Sequence, residues 1–150
     1  MRAIQYLVLA ASLVSAQAAQ VDFFSAKDLQ STAAALTPKG AVAATKDLTK
    51  YDNHYFLLAK RIETGSSELH EHEADIFVVE SGDGSILTGG KIVGGQTTKA
   101  GEIRGTGIEG GERHPLHAGD VVHIPAGVPH QVLLTKGKPF VYFVVKVTGQ

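Results

Sequence analysis

Apolar stretches of strand length, separated by polar and glycine-rich segments, recur along the chain and are typical of β-strands. The longest are residues 55–62 and 140–147, and shorter apolar runs occupy residues 76–79 and 132–134. In residues 140–147 both alternating faces are largely apolar, which is typical of a strand covered on both sides. The pattern therefore predicts a series of strands, the last of them buried on both faces.

One helix is predicted, over residues 24–36. Ser25 is suited to the N-cap position, and Asp28 follows three residues later as in a capping box. The apolar stripe of this helix consists of Leu29, Ala33 and Leu36. We expect the helix to pack against the outside of the β structure. Residues 41–51 are ambiguous between a strand and a loop.

Glycine is frequent in the middle of the chain. Residues 81–84 predict a hairpin turn, from which residues 85–88 return as a strand. Residues 89–117 are so rich in glycine that they predict a long connection, with some β content around Ile103 and Ile108. Such a connection is either a functional lid or a decoration. Its basic and imidazole side chains could bind an anionic substrate, although solvated loop charges are commoner: Arg104, Arg113, His114 and His117.

The first residues resemble a secretory signal peptide. Arg2 precedes an apolar run over residues 4–14 that is too short to span a bilayer comfortably. Ala16 and Ala18 supply the small side chains that a signal peptidase reads, so cleavage is expected after Ala18. We therefore expect a signal peptide over residues 1–18, a periplasmic or secreted protein and no stable membrane anchor; a buried N-terminal helix is the alternative.

Composition sets further limits. A chain of 150 residues fits one domain, here residues 19–150 after cleavage. The formal net charge of -1 gives no electrostatic reason to expect nucleic acid as a partner. The chain has no cysteine, which excludes disulfides, thiolate nucleophiles and sulfur metal ligands.

Three histidines are placed where a metal ion could use them. After the apolar alternation of residues 121–124, Pro125, Gly127 and Pro129 predict a tight turn that fixes the position of His130. His70 and His72 are two residues apart and would lie on one face of an extended segment. Imidazole nitrogens are common ligands of transition metals, so this set suggests a metal site.

These two stretches together resemble the two motifs of the cupins, a family of small β-barrels. In the second motif Gly119 is followed by five residues, Pro125, Ala126, Gly127, two residues and His130. The first motif is present as His70, His72 and Gly82. The family usually places a glutamate three or four residues after its second histidine, whereas here Asp75 follows His72 after a gap of two.

The resemblance implies both a fold and a ligand set. The fold would be all-β, a cupin-type antiparallel β-barrel (jelly roll) with a short N-terminal helix and a barrel core over residues 55–147. The implied metal ligands are His70, His72, Asp75 and His130, and the ion would be divalent Fe, Mn, Zn or Ni. Glu71 and Glu73 would point away in a regular strand, but a bulge could bring a neighbouring glutamate in instead of Asp75.

Two functions are compatible with these features. The first is a metal-dependent enzyme that acts on a small molecule, of the dioxygenase, isomerase, decarboxylase or lyase type. The second is a non-catalytic extracytoplasmic module that binds a small ligand or metal. A catalytic base apart from the ligands would favour the enzyme, and His123, Glu80 and Tyr142 are the candidates. The apolar C-terminal strand also suggests a homodimer.

Overall fold

A computed structural model describes residues 21–150, which contain one helix and thirteen strands. The helix α1 spans Ala26–Ala35. The strands are β1 (Ala43–Lys50), β2 (His54–Arg61), β3 (Ser67–His70), β4 (Glu73–Ser81), β5 (Gly84–Thr88), β6 (Lys91–Val93), β7 (Gln96–Lys99), β8 (Glu102–Gly105), β9 (Gly107–Glu109), β10 (Glu112–Leu116), β11 (Val121–Ile124), β12 (His130–Leu133) and β13 (Phe140–Thr148).

The strands form two larger antiparallel sheets and one two-stranded ribbon. The five-stranded sheet has the order β1-β2-β13-β4-β11, and the six-stranded sheet has the order β10-β5-β12-β3-β8-β7. Strands β6 and β9 pair in the ribbon. The predicted all-β jelly roll with a short N-terminal helix is confirmed.

The main core lies between the two large sheets. Its buried members come from both: the five-stranded sheet contributes Ala59, Phe77, Val79, Ile124, Phe140, Tyr142 and Val144, and the six-stranded sheet contributes Ile86, Leu116 and Val132. In β13 the residues with even numbers from 140 to 144 face this core. The burial of these apolar side chains is what holds the two sheets together.

Helix α1 covers the outer face of the five-stranded sheet. Its Ala33 packs with Leu58 and Val141 in a second cluster, and Phe143 joins the edge of that cluster. The Ser25 side chain caps the helix by accepting a hydrogen bond from the Asp28 backbone N–H, as predicted. The apolar outer face of β13 is thus partly covered within one chain, so that pattern alone does not require a partner subunit.

The structure differs from the sequence prediction at residues 81–88. A turn is present at Gly82, which has a φ of 86°. However, β4 and β5 lie in different sheets and do not form a hairpin. A side chain at Gly82 would bring its Cβ to 2.3 Å from the Pro139 carbonyl oxygen, so the close approach of the chain also requires glycine there.

Residues 89–117 are the second difference, because they form short strands rather than a long connection. Strands β6 to β10 occupy most of this segment. Many of its glycines have positive φ and lie at the turns between these strands, namely Gly89, Gly90, Gly94, Gly101, Gly110 and Gly111. Strands of three to five residues are too short to show a clear period-2 pattern in a sequence. The ambiguous residues 41–51 form strand β1, which extends the sheet beyond the predicted core.

The predicted signal peptide, residues 1–18, lies outside the described residues. Within residues 21–150, no helix has the length and apolarity needed to cross a bilayer.

Candidate metal centre

Strand β3 is the element around which the candidate site is built. It lies between β12 and β8 in the six-stranded sheet. Glu68 is paired with His130 on β12 and with Arg104 on β8, while His70 is paired with Glu102 on β8. Since side chains two apart in a strand share a face, Glu68 and His70 point to the same side as each other. The pairing thus gathers acidic and imidazole groups on one face.

The proline-glycine turn between β11 and β12 is hydrogen-bonded to the end of β3, the strand that carries His70. Gly127 has a φ of 77°, and its backbone N–H donates to the His70 carbonyl oxygen at 2.7 Å. The Val128 N–H donates to the Pro125 carbonyl oxygen at 3.3 Å, which closes the turn. The turn therefore holds the start of β12, and with it His130, against the end of β3.

Three side chains on this face could hold a metal ion. One ligand atom each from Glu68, His70 and His130 lies within 4.8 Å of the other two. The His130 Nδ1 atom lies 3.1 Å from the Val128 carbonyl oxygen. Because a carbonyl oxygen can only accept, we assign the proton to Nδ1, which leaves the Nε2 lone pair free for a metal.

His70 has a buried nitrogen without a protein partner. Its Nε2 atom makes no hydrogen bond among the described residues. Its nearest acceptors are Glu68 Oε2 at 3.5 Å and Asp75 Oδ2 at 3.7 Å, both too far for a good hydrogen bond. A buried nitrogen that is left without a partner is costly unless something else binds it. A divalent ion between these residues would satisfy it, so the donor set fits a metal.

Asp75 reaches the same place from the opposite sheet. It is 2% exposed and lies on β4, directly across from Lys146 on β13. The Lys146 Nζ atom is 2.6 Å from Asp75 Oδ1 and 2.8 Å from Oδ2. The Oδ2 atom also lies 3.5 Å from His130 Nε2. Asp75 is therefore beside the histidines, but both of its oxygens contact the lysine.

Guanidinium groups stabilise the ionised form of Glu68. Its Oε1 atom is 2.8 Å from Arg104 and 3.8 Å from Arg61. Burial by itself would raise the pKa of Glu68, but the interaction with His70 and the nearby cations outweigh burial and lower the pKa to about 2. The carboxylate is thus charged, as a metal ligand must be.

Glu102 is also held as a carboxylate, behind His70. Its Oε1 atom accepts from Arg104 Nε at 2.7 Å and from the Thr98 hydroxyl at 2.7 Å. Its Oε2 atom lies 3.7 Å from His70 Nδ1. Burial would raise the pKa of Glu102, but the bonds from Arg104 and Thr98 lower it to about 2.

The site opens into a cavity of about 500 Å³ between the two sheets. This volume is in the range of pockets that take small molecules. The cavity wall combines apolar side chains with many charged ones. Its charged side chains number five acidic and four basic: Asp47, Glu68, Glu73, Asp75 and Glu102, with Arg61, Lys99, Arg104 and Lys146. A polar ligand would find partners here, whereas an apolar one would displace water from these charged groups without replacing its hydrogen bonds.

Of the four ligands that the sequence predicts, the structure brings three together. His70, Asp75 and His130 lie around one point, but His72 is exposed. The expectation that His70 and His72 share a strand face is not met. Strand β3 ends at His70, and residues 71–72 form the bend in which the chain passes to β4 in the other sheet. The period-2 rule does not extend through that bend.

Glu68 is the residue that the sequence reasoning missed. Glu68 lies two residues before His70 and joins the cluster. The sequence pattern instead predicts His72, two residues after His70, as the second member of the pair. The spacing contained a signal, because four residues separate His70 from Asp75 and six more separate Asp75 from Gly82. With Glu68 and His70 as the motif pair, the carboxylate falls at the usual family distance rather than at a shortened one.

The candidate catalytic bases have different locations. His123 is exposed, because Val122 and Ile124 are the residues of β11 that pack on the core, so this candidate base does not face the cavity. Glu80 lines a groove next to α1 on the outside of the sheet. Tyr142 does line the cavity and lies 3.4 Å from Arg61, and its burial raises its pKa.

The basic and imidazole residues of the glycine-rich segment do not act as one group. Arg104 lines the cavity. Arg113, His114 and His117 are exposed elsewhere, and Arg113 donates to the Ser85 hydroxyl at 2.9 Å. Of these four residues only Arg104 lies on β8, the strand that pairs with β3, and the glycine-rich sequence did not indicate this.

Comparisons with known proteins agree with this fold. A sequence model described as the cupin domain matches residues 97–146. No curated protein sequence matches the chain at a significant level. Many solved structures share the fold, among them the following three. A Klebsiella pneumoniae protein with a double-stranded β-helix domain is 16% identical with a TM-score of 0.59, and the match covers 87% of this chain and 93% of that one.

The other two structures are similarly distant in sequence. KdgF from Halomonas sp. is 12% identical with a TM-score of 0.54, over 77% of this chain and 88% of that one. A predicted oxalate decarboxylase from Thermotoga maritima is 18% identical with a TM-score of 0.52, over 71% and 80%. The predicted resemblance to the cupins is thereby confirmed in sequence over residues 97–146 and in the fold. At these identities the solved structures establish the fold alone.

The lowered pKa of Glu102 predicts a specific acid response. A carboxyl whose folded pKa lies below its unfolded value adds stability above the unfolded value, near 4.5, and loses it as the pH falls toward about 2. We expect Glu102→Gln to flatten the loss of unfolding free energy in this window, measured by denaturant titration of metal-free protein. The matched control is Glu109→Gln at an exposed position on β9, which should follow the wild type. Equal slopes for Glu102→Gln and wild type would contradict the assignment.

Proposed function

We propose that this protein is an exported metal-binding cupin, and that it acts as a metal-dependent enzyme on a small polar molecule. The observation that carries the metal assignment is the cluster of Glu68, His70 and His130, in which the buried His70 Nε2 has no protein partner. Two imidazoles and one carboxylate are a donor set used by non-haem iron sites, and they also suit Mn, Zn and Ni.

Different residues would bind the ion, orient a ligand and stabilise charge at this site. Glu68, His70 and His130 would hold the ion, whose chemistry is that of a Lewis acid toward an oxygen of the bound molecule. The Val128 carbonyl fixes the orientation of the His130 ring. Arg104 keeps Glu68 ionised and also contributes its charge to the cavity wall. These roles require only the contacts already described.

The cavity supports a small polar substrate. Its wall carries cationic and anionic side chains close together, and such a wall pairs with a ligand that has carboxylate, hydroxyl or carbonyl groups. Tyr142 and Arg61 lie deeper, next to Glu68, and would meet the part of the molecule nearest the ion. The reaction type is left to experiment, since a fold does not specify chemistry.

A non-catalytic binding module is the second candidate, and one observation favours it. The acidic groups at the cavity floor already have cationic partners, Glu68 with Arg104 and Asp75 with Lys146. A floor that is balanced in this way can bind a polar ligand without any ion. A protein that takes up no metal would favour this candidate as a ligand-binding module. Bound metal fits both candidates, and an assay of substrate turnover then separates an enzyme from a metal-binding module.

The metal assignment predicts which side chains are required for binding. We expect Glu68→Ala, His70→Ala and His130→Ala each to lose nearly all of the bound divalent metal, because each removes one donor of a three-donor set. The loss should exceed the roughly 10- to 100-fold effect of removing an outer-shell partner. Elemental analysis and chelator competition on folded, untagged protein measure this.

His72→Ala is the matched control for the metal experiment. His72 belongs to the same sequence motif but is exposed outside the cluster, so this variant should keep the wild-type metal content. Metal that is lost in His72→Ala and kept in Glu68→Ala would show that the motif register is wrong. A wild-type protein that takes up no metal after reconstitution would leave the binding module as the function.

Export is the second part of the proposal. The N-terminal pattern predicts a mature chain that begins at Ala19, and intact mass spectrometry of protein from the periplasm or medium measures this directly. Ala18→Leu should block processing because it replaces the small residue read by the peptidase, whereas Gln17→Leu should not. A chain retained inside the cell with residues 1–18 intact would contradict export. The homodimer stays a prediction, and light scattering tests it.

A further inference from the structure

Lys146 is a buried cation at the floor of the cavity, and the proposed metal site does not use it. It is 8% exposed and its direction is set by the sheet, since β13 pairs with β4 so that Lys146 lies opposite Asp75. Asp75 is its ion-pair partner among residues 21–150. Burying a charged lysine costs free energy, and placing it beside a site for a metal cation adds repulsion, so its presence here requires an explanation.

The lysine ammonium lies close to both oxygens of Asp75 but donates a hydrogen bond to Oδ2, while Oδ1 has no hydrogen-bond partner among the described residues. One ammonium group lies 2.6 Å from Asp75 Oδ1 and 2.8 Å from Oδ2. Asp75 also lies near both imidazoles, with Oδ2 at 3.5 Å from His130 Nε2 and 3.7 Å from His70 Nε2. By position alone Asp75 would be available as a fourth ligand. The lysine donates to Oδ2, which is the oxygen that faces both imidazoles, so it competes with a metal ion for that oxygen.

We propose that Lys146 holds Asp75 in an ion pair and thereby limits the metal centre to the three protein ligands Glu68, His70 and His130. Asp75 is then an outer-shell carboxylate next to the histidines. This inference rests on the proposed metal site. It goes further because it sets the number of protein ligands and leaves one more position open for the bound molecule.

The burial of both partners supports the ion pair over ligation. If Asp75 moved onto a metal ion, Lys146 would lose its counter-charge within a buried site, and a buried charge without a partner is strongly destabilising. Glu68 has no such competitor for its second oxygen. Its ion-pair contacts to Arg61 and Arg104 involve Oε1, whereas Oε2 faces His70. Glu68 can therefore bind an ion and keep its arginines.

A double-mutant cycle on full-length mature protein tests the proposal. The variants are Asp75→Asn, Lys146→Met and the two together, with Glu68→Ala as the ligand control. The readouts are the dissociation constant for Co²⁺ by chelator competition and the intensity of the Co²⁺ visible absorption, which falls as the coordination number rises. A thermal melt confirms that each variant is folded, and the double variant removes both buried charges together.

The expected result is a metal centre that tolerates the loss of Asp75. Asp75→Asn and the double variant should weaken Co²⁺ binding by no more than the roughly 10- to 100-fold that the loss of an outer-shell partner costs. Lys146→Met should bind Co²⁺ more tightly than wild type, with weaker visible absorption, because the released Asp75 joins the ion. That gain should be absent when Asp75 is also replaced, which is the coupling that a cycle measures.

Three results would overturn the proposal. In the first, the folded double variant loses Co²⁺ as completely as Glu68→Ala, which would make Asp75 a ligand. In the second, the gain from Lys146→Met persists without Asp75, which would make the lysine a simple source of repulsion. In the third, wild type binds no Co²⁺ at all, and this alone would also reject the proposed metal function.

Discussion

The pairing of Glu68 with His130 across β3 and β12 is the contact on which the candidate site depends. It is the one residue pair in register between these two short strands, and the bond from the Gly127 N–H to the His70 carbonyl holds them at the same point. Strand β3 ends and β12 begins at this point, and the two strands bring Glu68, His70 and His130 together at the edge of the cavity, which Glu68 and His70 line. The site is thus built where the sheet pattern is interrupted.

Charge balance is the second constraint on this part of the molecule. Burying Glu68, Asp75 and Glu102 costs solvation, and each has a cation or hydrogen-bond donor beside it. Removing one partner of a buried ion pair typically destabilises the folded protein by about 3–5 kcal/mol, so neither member of such a pair can easily be replaced alone. The same arrangement explains how a cavity lined by charged groups can exist between two otherwise apolar sheets.

Much of the fold could be predicted from the sequence, but the register of the first motif could not be predicted from periodicity alone. Glu68 with His70 and His70 with His72 both satisfy a two-residue spacing, so the period does not choose between them. The choice depends on where β3 ends, and that is set by contacts far along the chain, such as the hydrogen bond from the Glu71 N–H to the Gly101 carbonyl. The helix cap at Ser25 was predictable because it depends on residues three apart.

The central claim is that Glu68, His70 and His130, and not His72, surround the metal position. The most direct measurement is anomalous diffraction from crystals of the metal-loaded protein. The account predicts one strong anomalous peak within bonding distance of the Glu68 carboxylate and of both Nε2 atoms, with Asp75 still paired to Lys146. A peak bonded to His72, or none near His130 in metal-loaded crystals, would contradict it.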